Sequence, residues 1–145
     1  MGGKADWVVN DLPVEGILAR RRRVIDVART DVPTCGPGEL LGDVRKRVLA
    51  GTYKDCVVVS DAMTVFGRLR KEAWEADPSS PVESVMEMGP GTMRPDPFLR
   101  DVIPDMQRAR IGSTLVTQYG SHNDGGRLLG VLYRSDGEGR LAENE

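Results

Sequence analysis

The chain has 145 residues, 20 of them basic and 22 acidic, with a formal net charge of −2 at pH 7. That length allows one domain-sized unit or two small subdomains sharing a buried core, and the balanced charge supplies no global field for nucleic acid or an anionic membrane. No apolar run reaches the ~18 residues of a membrane span, and the N-terminus lacks the basic-then-apolar order of a signal peptide, so a cytoplasmic protein is expected.

Residues 1–24 read as an arm and a basic linker. In "MGGKADWVVNDLPVE", Trp7, Val8 and Leu12 are spaced as in a short amphipathic helix that stops before Pro13. The Gly-Gly, the tryptophan and the Leu-Pro resemble the closing piece of rhodanese-like domains. The catalytic cysteine loop of that family would lie upstream, so the resemblance implies no sulfurtransferase activity. The segment itself reads as an arm that packs Trp7 on the paired domains or on a second subunit. Arg20 to Arg23 form the only concentrated positive charge, a run suited to a triphosphate or a nucleic-acid backbone. No aromatic residues interleave it as a stacking platform, which argues against nucleic acid.

The remainder is written twice. A shift of 58 positions lays Val27 on Val85, Thr34 on Thr92, Leu41 on Leu99, Val44 on Val102 and Val58 on Val116. Beyond the turn-rich "QYGSHNDGGR" the shift becomes 63, laying Gly67 on Gly130 and Leu69 on Leu132. The first copy spans 25–77 and the second 78–145, the latter ending in an acidic tail. Each opens with an extended segment near Thr34 or Thr92, followed by a helix. Leu41, Val44 and Val48 mark the first helix, and Phe98, Leu99, Val102, Ile103 and Met106 the second. The β-branched "CVVVS" and "STLVT" predict strands, and "TVFGRL" and "RLLGVL" predict the strands that return beside them. "RKEAWEAD" predicts a short closing helix before Pro78 and Pro81. The order in each copy is β-α-β-β-α, an α/β (α+β) fold. A unit of roughly 55 residues is marginal alone, so two copies are expected to pack with pseudo-twofold symmetry, and apolar helical stripes left over favour a homodimer.

Few residues carry other chemistry. Cys35 and Cys56 have no second pair at metal-ligand spacing, and burial is their expected fate. His122 sits with Asp124 in the turn-rich loop and has no further partners for a metal. No nucleophile elbow, P-loop or CxxC occurs, so no enzyme is expected.

The repeat, with "SVMEMGPGTMRPDPFLRDVIPDM" opening the second copy and "GRLLGVLYRSD" closing it, resembles a pair of CBS domains, the modules named after cystathionine β-synthase. The resemblance covers residues from about 25 to 137. It implies clefts for AMP, ADP, ATP or S-adenosylmethionine, with no cofactor required, and a signature of glycine, two apolar residues, a small hydroxyl, two free residues and aspartate. Glycine allows close backbone approach, the hydroxyl and helix amides suit a phosphate, and the carboxylate suits both ribose hydroxyls. The second copy keeps Gly130 and Asp136 but places Tyr133 at the hydroxyl, where its phenol either donates to a phosphate or plugs the cleft. The first copy keeps Gly67 but has Arg70 and Ala73 at the other two positions. The resemblance assigns the remaining wall of the Asp136 cleft to Thr30, Val32, Thr34 and Val58, with Arg134 beside the aspartate. Asp136 also fits a helix N-cap that needs no ligand, and Gly137 and Gly139 weaken the helix it would start. The leading expectation is therefore a regulatory module with one adenosyl site per chain and an unidentified regulated protein as partner. The alternative is a ligand-free interaction module with Tyr133 and Arg70 as plugs, and the third reading is nucleic-acid association through Arg20 to Arg23.

Overall fold

A computed structural model describes residues 22–118 and 126–144. The arm with Trp7, the arginines at 20 and 21, and the loop with His122 and Asp124 lie outside the described residues. The elements in chain order are α1 (Val24–Val27), β1 (Thr34–Cys35), α2 (Leu41–Leu49), β2 (Cys56–Val59), β3 (Val65–Leu69), 3-10 turns at Lys71–Glu75 and Val82–Ser84, β4 (Glu87–Met88), β5 (Thr92–Met93), α3 (Leu99–Ala109), β6 (Ser113–Gln118), β7 (Arg127–Tyr133) and α4 (Arg134–Asn144). They form two sheets, ordered β1-β2-β3-β4 and β5-β6-β7. Each begins with a parallel pair, Thr34 opposite Val57 and Thr92 opposite Leu115. Each continues antiparallel, Cys56 opposite Leu69 and Ser113 opposite Tyr133.

All four residues of β2 are buried, which explains its unbroken apolar run. Cys56 and Val58 face the first copy's core, against Leu41, Val44 and Val48 of α2 and against Trp74. Val57 and Val59 face the opposite way and meet Val32, Val65, Leu115 and Val131, so a central layer joins the two sheets. Each such valine, fully buried, stabilises by about 1.5–3 kcal/mol of apolar transfer. In the second copy α3 buries Leu99, Ile103 and Met106 against Val116 and Leu132. Both helical stripes are thus spent within the chain. Cys35 and Cys56 are buried as free thiols in the first core, where the neighbouring Cys35 thiol and burial push the Cys56 thiol up.

The opening segment of each copy packs on the other copy. Val24 and Val27 of α1 lie in the second copy's core, and Val82 lies in the first. Arg29 exchanges both backbone hydrogen bonds with Val131, each 2.9 Å, and β4 pairs with β3 through Gly67 opposite Met88. These crossings explain the repeated glycine. A Cβ on Gly130 would stand 2.7 Å from the Arg29 carbonyl oxygen, and one on Gly67 would stand 2.8 Å from that of Glu87.

The strand expected over "RLLGVL" runs through Gly130 to Tyr133 as β7. Two local expectations are corrected. "RKEAWEAD" closes as a 3-10 turn rather than an α-helix, with Trp74 buried and donating from Nε1 to the Lys54 carbonyl at 2.8 Å. Gly137 and Gly139 lie inside a full helix, α4. At Gly137 a Cβ would come within 2.3 Å of Ile103 Cδ1, so tight packing of α4 on α3 outweighs the poor helix propensity of glycine.

Candidate functional site

Asp136 occupies the first turn of α4, where the helix dipole favours a carboxylate. Its side chain is 25% exposed and takes a bidentate ion pair from Arg29: Nε donates to Oδ2 at 2.7 Å and Nη2 to Oδ1 at 3.0 Å. Arg29 reaches it from the first copy's opening segment, held beside β7 by the Val131 crossing. These hydrogen bonds hold the Asp136 carboxyl below the usual carboxylate range, and the same contact raises the guanidinium pKa further. A hollow of about 420 Å³ opens beside the pair, walled by Val27, Ser135, Gly139, Arg140 and Glu143.

Arg29 also separates that hollow from a larger one of about 510 Å³. Its guanidinium lies 5.5 Å from the Tyr133 ring centroid and 5.9 Å from that of Tyr53, and the two rings stack at 6.4 Å. The Tyr133 phenol donates to Asp55 Oδ1 at 3.1 Å. Burial, then the Asp55 charge, pushes this phenol up, so it is a donor at neutral pH. Tyr53 donates to Asp31 at 2.5 Å. Arg68, 2% exposed, pairs with Asp55 and donates from Nη2 to Ser113 Oγ at 2.7 Å. Asp55 and Arg68 belong to the first copy, Ser113 and Tyr133 to the second, so a polar clasp joins them.

The structure brings Asp136, Tyr133 and Gly130 together around Arg29, with Tyr133 in the larger hollow and Asp136 in the smaller. The other sequence-predicted residues are dispersed. Thr30 is exposed, and Val32 lies in the central layer with its side chain buried. The Thr34 carbonyl accepts from Arg47 at 3.1 Å. The Val58 side chain is sealed in the first core. Arg134 turns to the Ile111 carbonyl and to Glu138. At the matching positions of the first copy, Arg70 pairs with Glu87 at 3.2 Å and Ala73 packs on the first core. In the basic run, Arg23 donates to the Asp96 carbonyl at 2.6 Å and lies 4.6 Å over the Phe98 ring.

Sequence reading did not single out Arg29, Tyr53, Asp55, Arg68 or Ser113. Arg68 left a signal, a charge inside the apolar run "VFGRL". Asp55 directly before "CVVV" left another. Among the described residues no cluster of side chains suited to a metal ion occurs, and no helix is long and apolar enough to cross a membrane.

No family model matches the sequence, and no curated protein matches it. Solved structures do match. The CBS domains of a transcriptional regulator from Streptococcus pneumoniae are similar with a TM-score of 0.69 at 17% identity, over 81% of this chain and 97% of that one. CBSX2, solved in complex with AMP, has a TM-score of 0.71 at 16% identity, over 84% and 97%. The CBS domain of a bacterial CNNM/CorC family Mg2+ transporter, solved in complex with ATP, has a TM-score of 0.69 at 13% identity, over 91% and 96%. The chain has the fold of a CBS-domain pair.

Proposed function

We propose that this chain is a ligand-sensing regulatory module that binds one adenine nucleotide per chain, with the ribose on Asp136. The observation that carries the reading is the geometry of that carboxylate: its two oxygens accept two side-by-side donors from Arg29, the pattern a vicinal diol would present. The hollow beside it is open and lies where elements of both copies meet. AMP and ATP in two proteins of the same fold support the class of ligand. S-adenosylmethionine remains the adenosyl alternative. Binding would displace Arg29, fix one arrangement of the two copies, and pass that preference to a regulated protein through differential affinity. No chemical step is required of the chain. A homodimer remains part of the proposal, supported by Phe66 and Met88 on the adjacent strands β3 and β4, 44% and 76% exposed.

The test is a thermal-shift panel of AMP, ADP, ATP, S-adenosylmethionine and NADH. At least one adenosyl compound is expected to raise the melting temperature, since a ligand of the folded state stabilises it. Asp136→Ala is expected to abolish the shift. A shift retained in Asp136→Ala would place the site elsewhere. A panel with no shift would favour the ligand-free interaction module, a reading supported by Arg29 already filling the space over Tyr53 and Tyr133. Nucleic-acid association is weakened because Arg23 is engaged with Asp96 and Phe98.

A further inference from the structure

The chain's two sulfhydryl groups meet in the first core, and neither lines the hollows described above. Cys35 stands on β1 and Cys56 on β2. The strands are parallel neighbours with Cys35 opposite Val58. Cys56 precedes Val58 by two residues, so the pleat turns both cysteine side chains to one face. They are 4% and 0% exposed, and both are free thiols. The pair is a diagonal contact between adjacent strands.

Its surroundings make the two sulfurs unlike. Arg47 of α2 anchors on β1: its Nη2 donates to the Thr34 carbonyl at 3.1 Å, and its Nη1 to Glu39 Oε1 at 3.0 Å. Contact with the Cys56 thiol, opposed by burial and helped by the Arg47 charge, holds the Cys35 thiol below its ordinary pKa. The Cys35 neighbour and burial push Cys56 the other way. Cys35 is therefore the thiolate-forming member of the pair. It also stands on the edge strand of its sheet, where a side chain 4% exposed admits only a small oxidant such as a peroxide.

The strand that must move is short. β1 has two residues and runs directly into Gly36, Pro37 and Gly38. A Cβ placed on Gly38 would meet nothing within 4 Å, and one on Gly36 only the Glu39 carboxylate at 3.9 Å. A diagonal pair reaches disulfide geometry when one strand slides by part of a residue, and β1 has that room.

We propose that Cys35 and Cys56 are a redox pair, oxidised by a peroxide to a disulfide that locks β1 onto β2. The Cys35 thiolate attacks one oxygen of hydrogen peroxide and the O–O bond breaks. The leaving hydroxide takes up the proton that Cys35 released and becomes water, and Cys35 is left as a sulfenic acid. The Cys56 sulfur then attacks the Cys35 sulfur; the S–S bond forms, the S–O bond breaks, and the hydroxyl leaves with the Cys56 proton as a second water. The two thiols lose two electrons and the peroxide gains them. The bridge closes residues 36–55, which include all of α2, into a covalent loop, and so removes freedom from the unfolded chain. None of this depends on Asp136 holding a ribose.

The test takes the full chain, reduced and then treated with stoichiometric hydrogen peroxide. Because the sequence has only these two cysteines, thiol counting after denaturation is unambiguous. Both thiols are expected to disappear, with peptide mapping showing Cys35 joined to Cys56 of the same chain. The melting temperature is expected to rise by roughly 5–10 °C, and dithiothreitol should restore the thiols and the lower value. Cys56→Ala is expected to stop at a sulfenic acid on Cys35 that dimedone traps, whereas Cys56 in Cys35→Ala should oxidise about tenfold more slowly or less readily still. The parent measurements need no variant and decide the matter even where an alanine in the core unfolds the chain. Two thiols surviving peroxide in the parent, a bridge formed only between chains, or a bridged form that melts no higher than the reduced one would overturn the proposal.

Discussion

The two copies share a parallel-then-antiparallel strand order and a glycine crossing, and differ in their closing element and in the side chains beside it. Gly67 and Gly130 lie at matching crossings, each with the other copy's opening segment within about 3 Å of where a Cβ would be. A few residues further on, the first copy has Arg70, Trp74 and Ala73 where the second has Tyr133, Gly137 and Asp136. Trp74 fills the first core from its closing turn, whereas Gly137 makes room for Ile103 from the opposing helix. Each core is closed by one large side chain, supplied from opposite partners. The lesson is that chain crossing and core volume are constrained in both halves, while the carboxylate that we propose grips a diol occurs in only one.

The largest expected effects break the shared part of that comparison. Gly67→Ala and Gly130→Ala should each destabilise the protein by about 2–3 kcal/mol, because the obstructing atoms include backbone oxygens that cannot yield without losing the crossing. Gly137→Ala meets the movable end of the Ile103 side chain and should cost less, about 1 kcal/mol. Chemical denaturation of the three variants orders them, and equal losses at all three would contradict the crossing argument.

A smaller effect sharpens the difference between the copies. Replacing Arg29 with glutamine removes the side chain that now occupies Asp136, so adenosine should bind about two- to fivefold tighter, the scale of a released exposed ion pair. Weaker binding would make Arg29 part of the grip instead of its competitor.

The smallest effect is on stability against pH. The folded-state pKa of Asp136 is depressed by Arg29, so its contribution is present above the unfolded value of about 3.9 and is lost as pH falls through the lower folded value. Asp136→Asn should therefore be less stable than the parent at pH 7 by under about 1 kcal/mol, given the exposure of the pair. The two should converge as pH falls below that lower folded value. A difference that persists in acid would assign the loss to packing.

Much of this architecture was legible in the sequence. The helical stripes and β-branched runs report on cores directly, because burial selects side chains at the period of the element. The repeat then fixed which elements correspond. The exchange of opening segments was implied only by the resemblance, which set Thr30 and Val32 beside the Asp136 cleft; from the residues alone, a glycine repeated at Gly67 and Gly130 says that something approaches closely but not what. Gly137 misled for a related reason: propensity speaks for an isolated helix, and the contact with Ile103 is tertiary. For the site, Asp136 and Tyr133 came from the motif, but Arg29 reaches Asp136 across 107 positions, a contact that no local pattern encodes. Arg68 and Asp55 were visible only as charges beside apolar strands, and their pairing depends on the register of β2 against β3.

Titration calorimetry of AMP into the parent protein and into Asp136→Ala is the most direct measure of the central claim, that one copy of the pair keeps a ribose grip and the other has lost it. The account predicts one AMP per chain in the parent and none in the variant. Two AMP per chain, or undiminished binding after the carboxylate is removed, would contradict it.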